Sequence, residues 1–144
     1  MGWFKVENSG VWGDGITRTA IRFNNAIYEY VLLQKAAANN EIRFQRGADG
    51  VGQGISVACS EPGWVHAAGV WDASSDLLNL YLNASPGTPA TGNHPIAGTV
   101  PTGSYIGIAA LPASFLWQGW LAHMLILNRP ATAGEIGKVY GWGV

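Results

Sequence analysis

Charge is scarce in this chain. Only 12% of its 144 residues are Asp, Glu, Lys or Arg, about half the usual share. Eight basic residues against nine acidic ones leave a formal net charge of −1. A phosphate backbone calls for a dense basic patch. Lys5, Arg18, Arg22, Lys35, Arg43 and Arg46 bias the first third positively, but Glu7, Glu29 and Glu41 sit among them. Nucleic acid is therefore not an expected partner. Cys59 stands alone, which excludes an intramolecular disulfide. In the run Ile55-Ser56-Val57-Ala58-Cys59 it reads as a small core hydrophobe rather than a reactive thiol. No apolar run approaches the roughly 20 residues of a membrane-spanning helix, so membrane insertion is not expected. No signal peptide is expected either, because Met1-Gly2-Trp3-Phe4-Lys5 lacks both a basic start and an apolar run. Val6 stands where a myristoylation start needs Ser or Thr.

Nucleophile and zinc patterns are missing as well. There is no G-x-S-x-G elbow, no H-E-x-x-H and no C-x-x-C. His66, His94 and His123 are widely spaced, which argues against a zinc site.

What is present is punctuation and alternation. Twenty glycines and seven prolines are scattered between short apolar runs, the mark of many strands and turns. Thr19-Ala20-Ile21-Arg22-Phe23, Glu41-Ile42-Arg43-Phe44-Gln45 and Leu78-Asn79-Leu80-Tyr81-Leu82-Asn83 alternate apolar with polar. That period means a sheet with one face in the core and one in water. Strands are expected near 2–7, 16–23, 27–35, 40–46, 54–59, 64–72, 77–83, 104–110 and 115–128. Turns are expected at Asn39-Asn40, Gly47-Ala48-Asp49-Gly50, Ala73-Ser74-Ser75-Asp76 and Ser85-Pro86-Gly87. The stretch from Ala84 to Thr102 is rich in Pro, Gly and Thr and reads as the longest loop. Thr132-Ala133-Gly134-Glu135 has capping-box spacing, with Ile136, Val139 and Tyr140 following at helical intervals. The whole pattern predicts one all-β domain over 1–144. Its architecture is a two-sheet antiparallel β-sandwich of jelly-roll type, closed by one short C-terminal helix.

The order of motifs resembles a known family. Trp64-Val65-His66-Ala67-Ala68-Gly69-Val70-Trp71-Asp72 is similar to the W-x-H-V-A-x-x-x-D strand of laminin-G-like domains, which belong to the concanavalin A-like lectin/glucanase superfamily. Leu80-Tyr81-Leu82-Asn83-Ala84 resembles that family's L-Y-V-N-G strand, and Tyr105-Ile106-Gly107-Ile108-Ala109 its I-G strand. Gly119, Leu121, Met124, Ile126, Asn128, Arg129, Thr132, Glu135, Ile136 and Tyr140 fall in register with its closing segment. Gly2-Trp3-Phe4-Lys5-Val6 resembles its early W-F-K strand. There are departures. Ala122 and His123 replace an acidic pair, Ala84 replaces a glycine, and the strand that precedes W-F-K in the family has no counterpart here. The resemblance therefore implies an open sheet edge that a neighbouring subunit or a further segment covers.

The superfamily includes glycoside hydrolases, which need two carboxylates about 5–10 Å apart. The family's glucanases carry them as an E-x-D-x-x-E or E-x-D-x-E cluster on one strand. No such cluster occurs here, so catalytic residues are expected to be none and a hydrolase is the least favoured reading. No cofactor is expected. Calcium is the one metal the resemblance raises, with Asp72 and Asp76 as its donors if it binds. The same two residues bracket a hairpin turn, where Asp commonly bonds its own backbone.

Binding by stacking remains. Seven tryptophans are present. Trp3 and Trp64 match family core positions. Trp12, in a Gly-rich loop beside Asp14, and Trp117, beside Gln118, are the expected ligand residues. Along 121–127 both strand faces are apolar. With Met124 and Ile126 inward, Leu125 and Leu127 point outward as an expected partner interface. The function expected is a non-catalytic binding or adhesion module in a larger surface or particle assembly, on a phage or bacterial surface. Its ligand is a glycan or a protein surface, and homo-oligomeric or neighbouring subunits are its partners. The alternative is a purely structural virion decoration or assembly subunit. Either reading places it on a virion or an extracellular surface.

Overall fold

The structure is a computed structural model that describes residues 1–26, 29–37, 40–48, 51–91, 103–106 and 116–143. Its strands are β1 (Gly2–Val6), β2 (Arg18–Ala26), β3 (Glu29–Lys35), β4 (Glu41–Ala48), β5 (Val51–Ala58), β6 (Val65–Asp72), β7 (Leu77–Leu82), β8 (Ser85–Pro86), β9 (Gly103–Ile106) and β10 (Gly119–Ala122). A short 3-10 turn spans Ser9–Gly13, and the single described α-helix, α1, spans Ala133–Gly141. The first sheet runs β10-β1-β6-β7-β8 and the second β5-β4-β3-β2-β9, every pairing antiparallel. This is the two-sheet sandwich that the alternation predicts.

Period-two patterning sets the faces. Phe4 and Val6 of β1, Val65 and Ala67 of β6, and Leu78 and Leu80 of β7 turn inward from the first sheet. Ile21 of β2, Leu33 of β3, Ile42 and Phe44 of β4 and Ile55 of β5 meet them from the second. Each such large side chain taken fully from water is worth about 1.5–3 kcal/mol. The opposite face of the first sheet carries Ala68 and Val70, which form a second, smaller core with Ile136 of α1.

The helix begins where the sequence predicts. Thr132 Oγ1 accepts from the Glu135 backbone N–H at 3.2 Å, and a Glu135 carboxylate oxygen accepts from the Thr132 N–H at 2.9 Å. Two orphan donors are satisfied reciprocally. Arg129 donates to the same carboxylate. That contact and the cap hold Glu135 down at about 2.

Two expectations about these elements need correction. The first concerns 115–128, where a long strand is expected; residue 115 lies outside the described residues. Regular strand ends at Ala122, because His123 adopts φ 48°. The pairing Trp3↔Ala122 resumes one residue out of step, as Leu125 N donates to Met1 O at 2.9 Å. This is a bulge, and a bulge reverses the alternation beyond it. Met124 still packs on the main core, but Ile126 is 51% exposed. Leu125 and Leu127 are half-buried and line a cavity of about 870 Å³ together with Phe23, Phe44 and Trp71. Leu125 lies opposite Met1, which packs against the smaller core of Ala68, Val70 and Ile136.

Second, the turn placed at Ser85-Pro86-Gly87 lies earlier. Asn83 and Ala84 take φ 49° and 64°, and Leu82 pairs with Ser85. This is a two-residue loop with both residues left-handed, as a type I′ hairpin requires. Ser85 and Pro86 are strand.

In the first sheet β1 is an inner strand, with β10 on one side of it and β6 on the other. Among the described residues, the edges of that sheet are β10 and β8. The parts of the expected strands and turns at 27–28, 39, 49–50 and 107–110, and of the expected long loop at 92–102, lie outside the described residues.

Candidate functional site: an aromatic face on β1 and β10

Most of the sequence-predicted ligand residues serve the fold. Trp12 is corrected first. Its side chain is 1% exposed, and its indole N–H donates to Glu61 O at 2.7 Å. An indole sealed in the core is not a platform. The Gly-rich loop is short and apolar enough to fold inward around it. Asp14 is drawn in behind it. One carboxylate oxygen accepts from Lys35 Nζ and the other from Arg18, each at 2.6 Å. Lys35 is fully buried and also donates to Ile16 O at 2.8 Å. Desolvation pushes the Asp14 carboxyl up, but the Lys35 and Arg18 contacts and the Ile16 N–H outweigh it and hold it at about 2. Asp14 is the counter-ion of a buried lysine.

Trp117 is half-buried. It packs edge-on against Phe4 at 5.6 Å between centroids, and its N–H donates to Lys5 O at 3.3 Å. It too faces the core.

Gln118 points the other way, and its surroundings form the candidate site. Its side-chain N–H donates to a Glu7 carboxylate oxygen at 2.6 Å, just beyond the last rung of the β1–β10 ladder. The rung pairing Lys5 with Trp120 comes next but one. Lys5 Nζ lies over the Trp120 ring, 5.4 Å from its centroid. Trp120 is 51% exposed. Gly119 lets the two strands approach so closely. It holds φ 143°, and a Cβ there would drive into the Lys5 carbonyl.

The face continues toward the helix. Trp3 stacks on Tyr140 at 5.5 Å with an 18° interplanar angle and leans on His66 at 5.5 Å. Trp142, capping α1, is 66% exposed. His66 is fully buried, and neither ring nitrogen has a hydrogen-bond partner. Burial, aided by the positive chain terminus, depresses it to about 4, so it sits there neutral.

Trp120 and Trp142 are the residues that the sequence reading missed. The signal for Trp120 was available. Leu121 is a core residue, so period two puts Trp120 outward, just as it puts Trp117 inward across the kinked Gly119.

The residues do not fit calcium, which takes six to eight oxygens. Asp72 spends both carboxylate oxygens on its own turn, accepting from the Ser74 and Ser75 hydroxyls at 2.6 and 2.7 Å and from the Ser74 N–H at 2.9 Å. These contacts hold it at about 2. Asp76 is left-handed, at φ 51°, with its charge felt by the buried Arg46. Among the described residues no three His, Cys, Asp or Glu side chains converge to hold a metal ion. No helix among them is long and apolar enough to cross a membrane. Cys59 is buried, and burial pushes its thiol up to about 11, so it is a core residue and not a nucleophile.

Comparison with known proteins agrees with this architecture. A laminin-G family model, described as concanavalin A-like lectin/glucanases superfamily, matches residues 2–137. A heptameric SAP-like pentraxin from Limulus polyphemus superposes with a TM-score of 0.69 at 13% identity, covering 96% of this chain and 67% of that one. An S-layer domain-containing protein from Clostridium thermocellum reaches a TM-score of 0.47 at 19% identity, over 97% and 67% of the two chains. No curated protein sequence matches. With the family match spanning nearly the whole sequence, the chain belongs to the concanavalin A-like lectin/glucanase superfamily, as a laminin-G-like domain.

Proposed function

We propose that this domain is a non-catalytic binding module of a larger surface or particle assembly, and that its ligand docks on the outer face of β1 and β10. The observation that carries the reading is Trp120, half in water on a regular strand, with Lys5, Glu7 and Gln118 around it. An exposed tryptophan rimmed by polar side chains offers an apolar anchor with hydrogen-bonding groups beside it, which supports that reading. The sandwich supplies a rigid scaffold, and the polar neighbours supply orientation. The acidic residues best placed for chemistry are already committed, Asp14 to Lys35 and Asp72 to its turn.

The second reading is a structural subunit without a small ligand, on a virion or cell surface. It is favoured by Trp142 and Ile126, exposed apolar residues away from Trp120 in sequence. Sedimentation of the wild type and of Trp120→Ala and Trp142→Ala separates the two. A monomer at low micromolar concentration, with ligand capture lost only in Trp120→Ala, fits the binding module. A defined oligomer that Trp142→Ala disperses contradicts it and supports the structural subunit.

A further inference from the structure

We propose that the cavity between the two sheets binds a small amphiphile with an aliphatic tail and a carboxylate head, and that Arg46 receives the head. This site is separate from the β1–β10 face, and the two stand or fall independently.

The cavity measures about 870 Å³, within the roughly 300–1,000 Å³ of small-molecule pockets. Its inner wall is apolar. Buried Ile21 and Leu33 line it from the second sheet, Trp71 from the first, and Leu127 from the segment after β10. Its mouth lies where the lining reaches exposed polar residues, Ser74 in the β6–β7 turn and Asn128 and Arg129. Such a chamber suits an alkyl chain, because each methylene taken from water adds to the gain.

Unpaired donors place the head. Register puts Arg46 on the same rung as Val31 and Phe23, both residues of the cavity wall. Arg46 is 3% exposed, and its guanidinium lies over the Trp71 ring, 5.5 Å from the centroid. Its Nε and Nη1 are buried without a hydrogen-bond partner, and so is Trp71 Nε1. Burial disfavours the cation, and the charge of Asp76 supports it. Buried donors left unmade are costly, most of all on a charged group. These three favour a ligand group that brings acceptors. An ionised carboxylate is acceptor-only, and its charge-assisted bonds to arginine are among the strong ones. An alcohol offers one uncharged oxygen, and an ammonium offers none and repels the guanidinium. Asp72 is the one acid among the described lining residues, and it accepts from Ser74 and Ser75 of its own turn.

The test is calorimetric titration of the whole chain with decanoate and with decan-1-ol, which carries the same tail without the charge. One decanoate per chain is expected, with decan-1-ol about tenfold weaker or more. Arg46→Met, which removes the donors and keeps an apolar side chain, is expected to weaken decanoate about tenfold or more and to leave decan-1-ol unchanged. Leu127→Trp, which fills the cavity, is expected to abolish both, and Trp120→Ala to change neither. Decanoate is also expected to raise the urea midpoint of the wild type. Should Arg46→Met fail to fold, decanoate against decan-1-ol on the wild type and the Leu127→Trp variant decide. No saturable binding, equal affinity for the two probes, or decanoate binding that ignores Arg46→Met or Leu127→Trp overturns the inference. Loss of decanoate binding in Trp120→Ala places the ligand on the β1–β10 face and overturns it too, while leaving that face intact as a binding surface.

Discussion

Lys35 and Asp14 lock the Gly-rich loop to the second sheet. The fully buried ammonium donates to the carboxylate at 2.6 Å and to the Ile16 carbonyl at 2.8 Å. Removing one partner of such a pair leaves an uncompensated charge in low dielectric, a change that costs about 3–5 kcal/mol. Asp14→Ala is therefore expected to destabilise the domain by that amount in denaturant unfolding. The double replacement Asp14→Ala with Lys35→Met is expected to recover most of it. Equal loss in the single and the double variant contradicts the pairing.

The same carboxylate gives an acid limb. Its folded value, about 2, lies below its ordinary 3.8. Its contribution is therefore complete above the ordinary value and is lost as pH falls through the folded one.

His66 acts at higher pH. Its folded value, about 4, lies below the usual 6.5, so the unfolded chain takes up a proton in that interval and the folded one does not. Stability is expected to fall as pH drops from about 6.5 to about 4, by roughly 3 kcal/mol at most. His66→Leu is expected to flatten that limb, measured as the midpoint of urea unfolding across pH. An unchanged slope rules out the buried neutral imidazole as its cause.

Ala84 offers a gain. It sits left-handed at φ 64° in the β7–β8 hairpin, where a Cβ costs about 1–2 kcal/mol. Glycine carries no such cost but is freer in the unfolded chain. Ala84→Gly is expected to stabilise by up to about 1 kcal/mol and to raise the thermal midpoint. A lower midpoint contradicts the turn assignment.

The sandwich was legible because its code is local. Alternation at Ile42-Arg43-Phe44 and at Leu78-Asn79-Leu80 needs no tertiary information, nor does the Thr132/Glu135 cap. The site was less legible. Whether Trp12 or Trp120 faces water depends on which loop folds inward and on where a strand kinks, and both are set by long-range contacts. Trp12 is fixed by Glu61, forty-nine positions away. The expected strand through 128 breaks early because one residue, His123 at φ 48°, shifts the register beyond it. Gln118 was found from its neighbour Trp117, although the ring that stands beside it in space is Trp120.

The most direct measurement is a titration with cellohexaose, β-1,4-galactohexaose or chitohexaose followed by the indole N–H resonances of the seven tryptophans. The binding-face account predicts that the Trp120 resonance moves with saccharide concentration while those of Trp12 and Trp117 stay in place. Saturating shifts at Trp12 or Trp117 with Trp120 unmoved place the ligand elsewhere and contradict the account.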